Sequence, residues 1–186
     1  MKRIFLLAAM LCLCLSANAQ SFSDYFQDKT LRIDYIFAGN ATSQIVALDE
    51  LSKSDGWSGR RVNMSEVPVR GNGDVKVIDP QSGKTIYRTS FSSLFQEWLT
   101  TDEAQKLTKS FEATFLVPFP KQKAIVETTL LDNEGKVQAS LRHEINPEDK
   151  LIRKLAADSP TPHEYLLKSG SPEEKIDIAI IAEGYT

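Results

Sequence analysis

In "TLRIDYIF" (residues 30–37), Leu31, Ile33, Tyr35 and Phe37 alternate with Arg32 and Asp34. A period of two turns the apolar set to one side of an extended chain and predicts a half-buried strand. "QIVALDEL" (44–51) extends this to a second strand, which ends at the two glycines of "GWSGR" (56–60). Val75 and Val77 alternate with Lys76, and "DPQSG" (79–83) then interrupts before "KTIYRTSF" resumes. Proline presets the first turn angle and glycine tolerates positive φ, so this stretch predicts a hairpin. A second hairpin is predicted in "KAIVETTLLDNEGKVQASLRHEI", with its turn at Asp132, Asn133, Glu134 and Gly135. Between them "SFEATFLVPFP" (110–120) reads as a strand whose Pro118 and Pro120 suit an edge or an end.

Two stretches carry helical signals. Phe91, Leu94, Phe95, Trp98 and Leu99 fall at i, i+3, i+4, i+7 and i+8, one apolar stripe. Ser93 with Gln96 three positions on has the form of a capping box. Asn146, Pro147, Glu148 and Asp149 combine a capping side chain, a first-position proline and first-turn acids, which predicts a short helix over about 147–156. Six or seven short strands at this spacing predict a mainly β fold, an antiparallel immunoglobulin-like β-sandwich with one or two short helices.

The two ends stand apart from this pattern. Lys2 and Arg3, an apolar run from Ile4 to Leu15 and the small residues Ala17 and Ala19 form a secretory signal peptide over residues 1–19. The run is shorter than the roughly 20 residues a spanning helix needs. The expected location is therefore outside the cytoplasm, periplasmic or extracellular. At the other end, prolines, glycine, serines and threonines make 158–175 a linker, and 176–186 opens on the isoleucines of "KIDIAIIAEGYT". That run is apolar on both faces, as in a strand covered on both sides, and belongs to another kind of domain than the sandwich of 20–157.

Composition narrows the chemistry. Both cysteines, Cys12 and Cys14, lie in the signal peptide, so the mature chain has neither disulfide nor thiol chemistry. Its 167 residues (186 less 19) suffice for one core without such staples. Lys2 and Arg3 leave with the peptide, so 20 basic residues face 25 acidic ones, a net charge of −5. That balance argues against nucleic acid or an anionic membrane as partner. His143 and His163 each precede a glutamate, but Pro147 and Leu167 stand where a zinc helix needs its second histidine. His143, in a strand, is expected to be a hydrogen-bonded or half-exposed structural residue. "RGNGD" (70–74) lacks the third glycine and the helix of a phosphate cradle, and "GWSGR" lacks the setting of a nucleophile elbow. Asn40 and Asn63 begin glycosylation acceptor triplets. Trp98, within its stripe, is expected in the core, and Trp57, between Gly56 and Gly59, is the better candidate for an exposed contact. No catalytic, cofactor-binding or metal-ligating residue is assigned.

Several segments carry a resemblance. "LRIDYIFAGN", "FSSLFQEW", "EAQKLTKSFEATFLVPFPK" and "SGSPEEKIDIAIIAEGYT" resemble the N-terminal region of the IgA-peptidase-type zinc metallopeptidases, peptidase family M-sixty-four, over about residues 28–186. The resemblance implies a sandwich domain preceding a catalytic domain, with 176–186 as the first strand of that truncated second domain. Zinc would then belong only to the missing catalytic domain, and no residue here inherits a ligand role. The expected function is a non-catalytic accessory domain that supports the catalytic domain or positions protein substrate; its partners are that domain and protein substrate. The alternative is a stand-alone secreted sandwich binding protein or glycan at the cell surface.

Overall fold

The computed structural model describes residues 21–67, 69–156, 162–170, 175 and 178–181. The signal peptide and most of the segment around Ile176 lie outside the described residues. A single helical turn, α1 (Phe22–Tyr25), leads into β1 (Phe26–Gly39), which runs antiparallel to β2 (Gln44–Asp55). The hairpin β3 (Gly73–Ile78) and β4 (Thr85–Phe91) follows, then the short helix α2 (Leu94–Trp98). β5 (Lys109–Pro120), β6 (Ala124–Leu131), β7 (Val137–Ile145) and a two-residue β8 (Arg153–Lys154) complete the order.

These strands form two four-stranded sheets, β5-β1-β2-β8 and β4-β3-β6-β7. The inward residues of both sheets and the segments beside them share one core, a β-sandwich as the alternation predicts. Leu31, Ile33, Tyr35 and Phe37 are all but inaccessible, and Val75, Val77 and Val126 face them from the second sheet. Both predicted hairpins form around their turn residues, with Gly83 at φ 68° and Gly135 at φ 82°. One connection departs from the immunoglobulin arrangement, in which the fifth strand joins the second. Here β5 joins β1, leaving β5 at the sheet edge, where its two prolines are tolerated.

Three expectations are corrected. The helix over 147–156 does not form. Asn146 Oδ1 instead accepts the Glu148 amide at 3.2 Å, a turn follows, and Arg153 and Lys154 pair in parallel with Ser52 and Lys53. The start signal had no apolar stripe behind it: Ile152 alone is buried, while Leu151 is exposed. Trp57 is a core residue, not an exposed one. Its ring meets Tyr87 edge-on at 5.7 Å, its Nε1 donates to the Arg60 carbonyl at 3.1 Å, and the absence of a side chain on Gly59 makes room for it. The stripe at 91–99 is split, because Phe91 belongs to β4 and Leu94 is 73% exposed; Phe95 alone is sealed in. At the C-terminal end, residues 178–181 form no strand, and Ile178, Ile180 and Ile181 are exposed. Among the described residues no helix is long and apolar enough to cross a membrane.

Candidate functional site: an aromatic cleft beside an open strand edge

The chain crosses from the second sheet to the first through α2, and this crossing builds the most chemically distinctive surface. β4 ends on Phe91, whose ring lies over Gly73 of the neighbouring strand, where any side chain would collide with it. The ring also stacks on Phe37 at 5.8 Å and meets Phe115 of β5 at 4.4 Å. Ser93 then caps α2, its hydroxyl accepting the Gln96 amide at 3.3 Å. Phe95 drops into the core against Phe37 and Phe111, while Trp98 packs on Phe111 at 5.6 Å and donates Nε1 to Glu103 at 2.7 Å.

Gln96 does not complete the capping box as its spacing suggests. Its amide nitrogen donates to the carbonyls of Asn72 and Leu131, the latter at 2.9 Å, which fastens α2 to the ends of β3 and β6. A five-residue helix has little stability of its own, so these anchors hold it.

Two adjoining concavities result, both bordered by Ser92, Ser93 and Leu94. One, of about 220 Å³, is walled by Phe91 and by the consecutive residues Phe111, Glu112, Ala113, Thr114 and Phe115. The other, of about 320 Å³, is polar and includes Asn72, Gln96, Glu97, Thr100 and Asn133. Oδ1 of Asn72 is buried there without a hydrogen-bond partner among the described residues.

The edges beside the cleft differ. β4 is covered by the long loop after β2: the Arg88 amide donates to the Met64 carbonyl at 2.8 Å, and Arg60 donates to the Arg88 carbonyl. β5 has no such cover among the described residues. Every second residue of an edge strand turns its N–H and C=O outward, and from Lys109 to Val117 none meets a backbone partner there. Pro118 and Pro120 close the far end.

The histidines lie away from this cleft. His143 faces inward from β7, and its Nε2 is 2.7 Å from the Tyr35 hydroxyl of the opposite sheet. Burial pushes the imidazole pKa down, and the neighbouring Glu144 backbone acts the other way. Burial likewise raises the Tyr35 phenol to about 12, with the Thr128 hydroxyl beside it acting the other way. Nδ1 of His143 and Oγ1 of Thr128 are buried without hydrogen-bond partners among the described residues. His163 lies in the exposed segment after the sandwich, edge-on to Tyr165 at 5.2 Å. The fold does not bring the two histidines together, and among the described residues no three His, Cys, Asp or Glu side chains group as metal ligands. The described residues therefore do not fit a zinc ion.

The cleft was not anticipated from sequence. Its signal is the spacing "FSSLF" and "FEATF", two Phe-x-x-x-Phe pairs that place Phe91 with Phe95 and Phe111 with Phe115. Compared with known families, the chain matches a model described as peptidase M64 N-terminus over residues 21–142, from α1 into β7. No curated protein matches it.

Proposed function

The chain belongs to the peptidase M64 N-terminus family, and from that premise we propose that it is the non-catalytic accessory domain of an exported zinc metallopeptidase. Its work is to position protein substrate for a separate catalytic domain, which supplies all the zinc ligands. The observation that carries this reading is the uncovered edge of β5 beside a phenylalanine-lined cleft. An added strand gains main-chain hydrogen bonds at such an edge irrespective of sequence, and neighbouring pockets select side chains. The signal-peptide pattern of residues 1–19 supports export, with a mature chain beginning at Gln20.

Two measurements test this. The gene's reading frame should continue past Thr186 into a histidine–glutamate–x–x–histidine helix; a stop codon there would leave a stand-alone secreted module instead. In the encoded enzyme, deleting residues 20–157 should raise KM for an unfolded protein substrate while leaving kcat on a four-residue chromogenic peptide within about twofold. An unchanged KM for protein would assign the domain no part in holding substrate.

A further inference from the structure

Resting on this substrate-positioning reading, we infer that the open edge of β5 and the two concavities form one site for an extended polypeptide segment carrying an aromatic and a basic residue. The segment adds to β5 as a further strand. Its aromatic side chain enters among the phenylalanines, and its lysine or arginine reaches the polar concavity.

The aromatic concavity is lined by five consecutive residues of β5. Successive strand residues point to opposite faces, so five in a row can border one hollow only where the edge of the strand is its wall. The hollow thus runs along the same unpaired backbone groups that an added strand would engage. The rest of its lining is Phe91, backed by the buried Phe95 and Phe37, with Ser92, Ser93 and Leu94 at the border, and the phenylalanines suit an apolar ring better than a polar group.

The polar concavity asks for positive charge. Asn72 is in its wall, but its Oδ1 is buried below the surface, so the exposed side chains set what a ligand meets there. The charged side chains lining the two hollows are Glu97 and Glu112, both carboxylates, and no Lys, Arg or His lines either. Neither carboxylate is in an ion pair with a described residue. An ammonium or guanidinium group carries only donors and a full positive charge, and so complements the two carboxylates. The two hollows adjoin at Ser92, Ser93 and Leu94, so alternate residues of an added strand, about 6.6 Å apart on one face, are the pair that would address them.

Capped eight-residue peptides in a threonine background provide the probe, titrated calorimetrically into the chain from Gln20 to Thr186. One carries phenylalanine and, two positions on, arginine; the second has glutamate in place of arginine. A third repeats the first with alternate backbone amides methylated. The arginine peptide should bind at least tenfold tighter than the glutamate peptide, and methylation should abolish binding. The double variant Glu97→Lys, Glu112→Lys should invert the preference; both side chains are exposed, so its circular dichroism should match the parent's. Equal affinity for the arginine and glutamate peptides would overturn the basic selectivity while leaving the edge reading intact. Binding that survives methylation would overturn strand addition. If no peptide binds at millimolar concentration, the site and the substrate-positioning role on β5 both fall.

Discussion

His143 shows how a residue can be anticipated by type and still hold chemistry that sequence does not display. Its place in an alternating strand marks it as structural, but its partner Tyr35 is 108 residues away in the opposite sheet. Burial depresses the imidazole pKa in the fold, so the folded protein favours the neutral ring. A lowered folded pKa contributes stability that is present above the unfolded value, about 6.5, and lost as pH falls through the folded one. Melting temperature should therefore decline below about pH 6.5 more steeply in the parent than in His143→Gln, whose side chain can bond Tyr35 but carries no proton equilibrium. Parallel thermal scans from pH 7.5 to pH 4.5 check this; superimposable slopes would show that His143 does not titrate in the transition. Trp57 is the converse case. Its flanking glycines read as an exposed loop, but Gly59 is small because the indole ring occupies the space over it.

At the scale of elements, legibility followed the number of local cues. β1 and both hairpins were legible because alternation and turn residues agree, and each turn needs only its own few residues. The helix expected after Asn146 had a cap but no stripe, and the buried Ile152 instead leads the chain into β8. α2 had both a cap and a stripe and does form, but with Leu94 of the stripe facing out. Its two adjacent residues Leu94 and Phe95 therefore make a sharp comparison, at 73% and 0% exposure. Phe95→Ala should cost about 3–5 kcal/mol, the range for a buried aromatic. Leu94→Ala should stay within about 0.5 kcal/mol, as surface substitutions do. Gln96→Leu removes the donor to the Asn72 and Leu131 carbonyls and should cost about 1–3 kcal/mol, the penalty of leaving buried acceptors short of a partner. Urea denaturation of the three variants ranks them directly, and a Leu94 loss matching that of Phe95 would mean the helix packs differently. The cleft's local cue, its two Phe-x-x-x-Phe pairs, does not say that they meet, because that depends on β4 and β5 lying at one side of the sandwich, a relation set by the crossover through α2.

For the whole molecule the question is where the cooperative fold ends. Among the described residues Ile152 is the last core residue, at 4% exposure, and the Leu155 amide still bonds the Lys53 carbonyl at 2.9 Å. Beyond this point Tyr165, Leu166, Leu167, Ile178, Ile180 and Ile181 are all exposed, so their apolar surface contributes nothing to the sandwich core. Stability is carried by buried contacts, and a segment without them can be removed at little cost. A chain ending at Ala156 should therefore melt within about 2 °C of the chain ending at Thr186, and should be more soluble for losing exposed isoleucines. A chain ending at Lys150 loses Ile152 and β8, exposing the edge of β2 as well. Removing a buried isoleucine side chain costs about 2–5 kcal/mol, and each kilocalorie lowers the melting temperature of a domain this size by roughly 4 °C. The shorter chain should accordingly melt some 8 °C or more below the longer one. Differential scanning calorimetry of the three chains separates the cases. A large drop for the chain ending at Ala156 would mean that the segment around Ile178 and Ile180 packs on the sandwich. The stand-alone reading would then gain over that of an accessory domain whose last strand belongs to its neighbour.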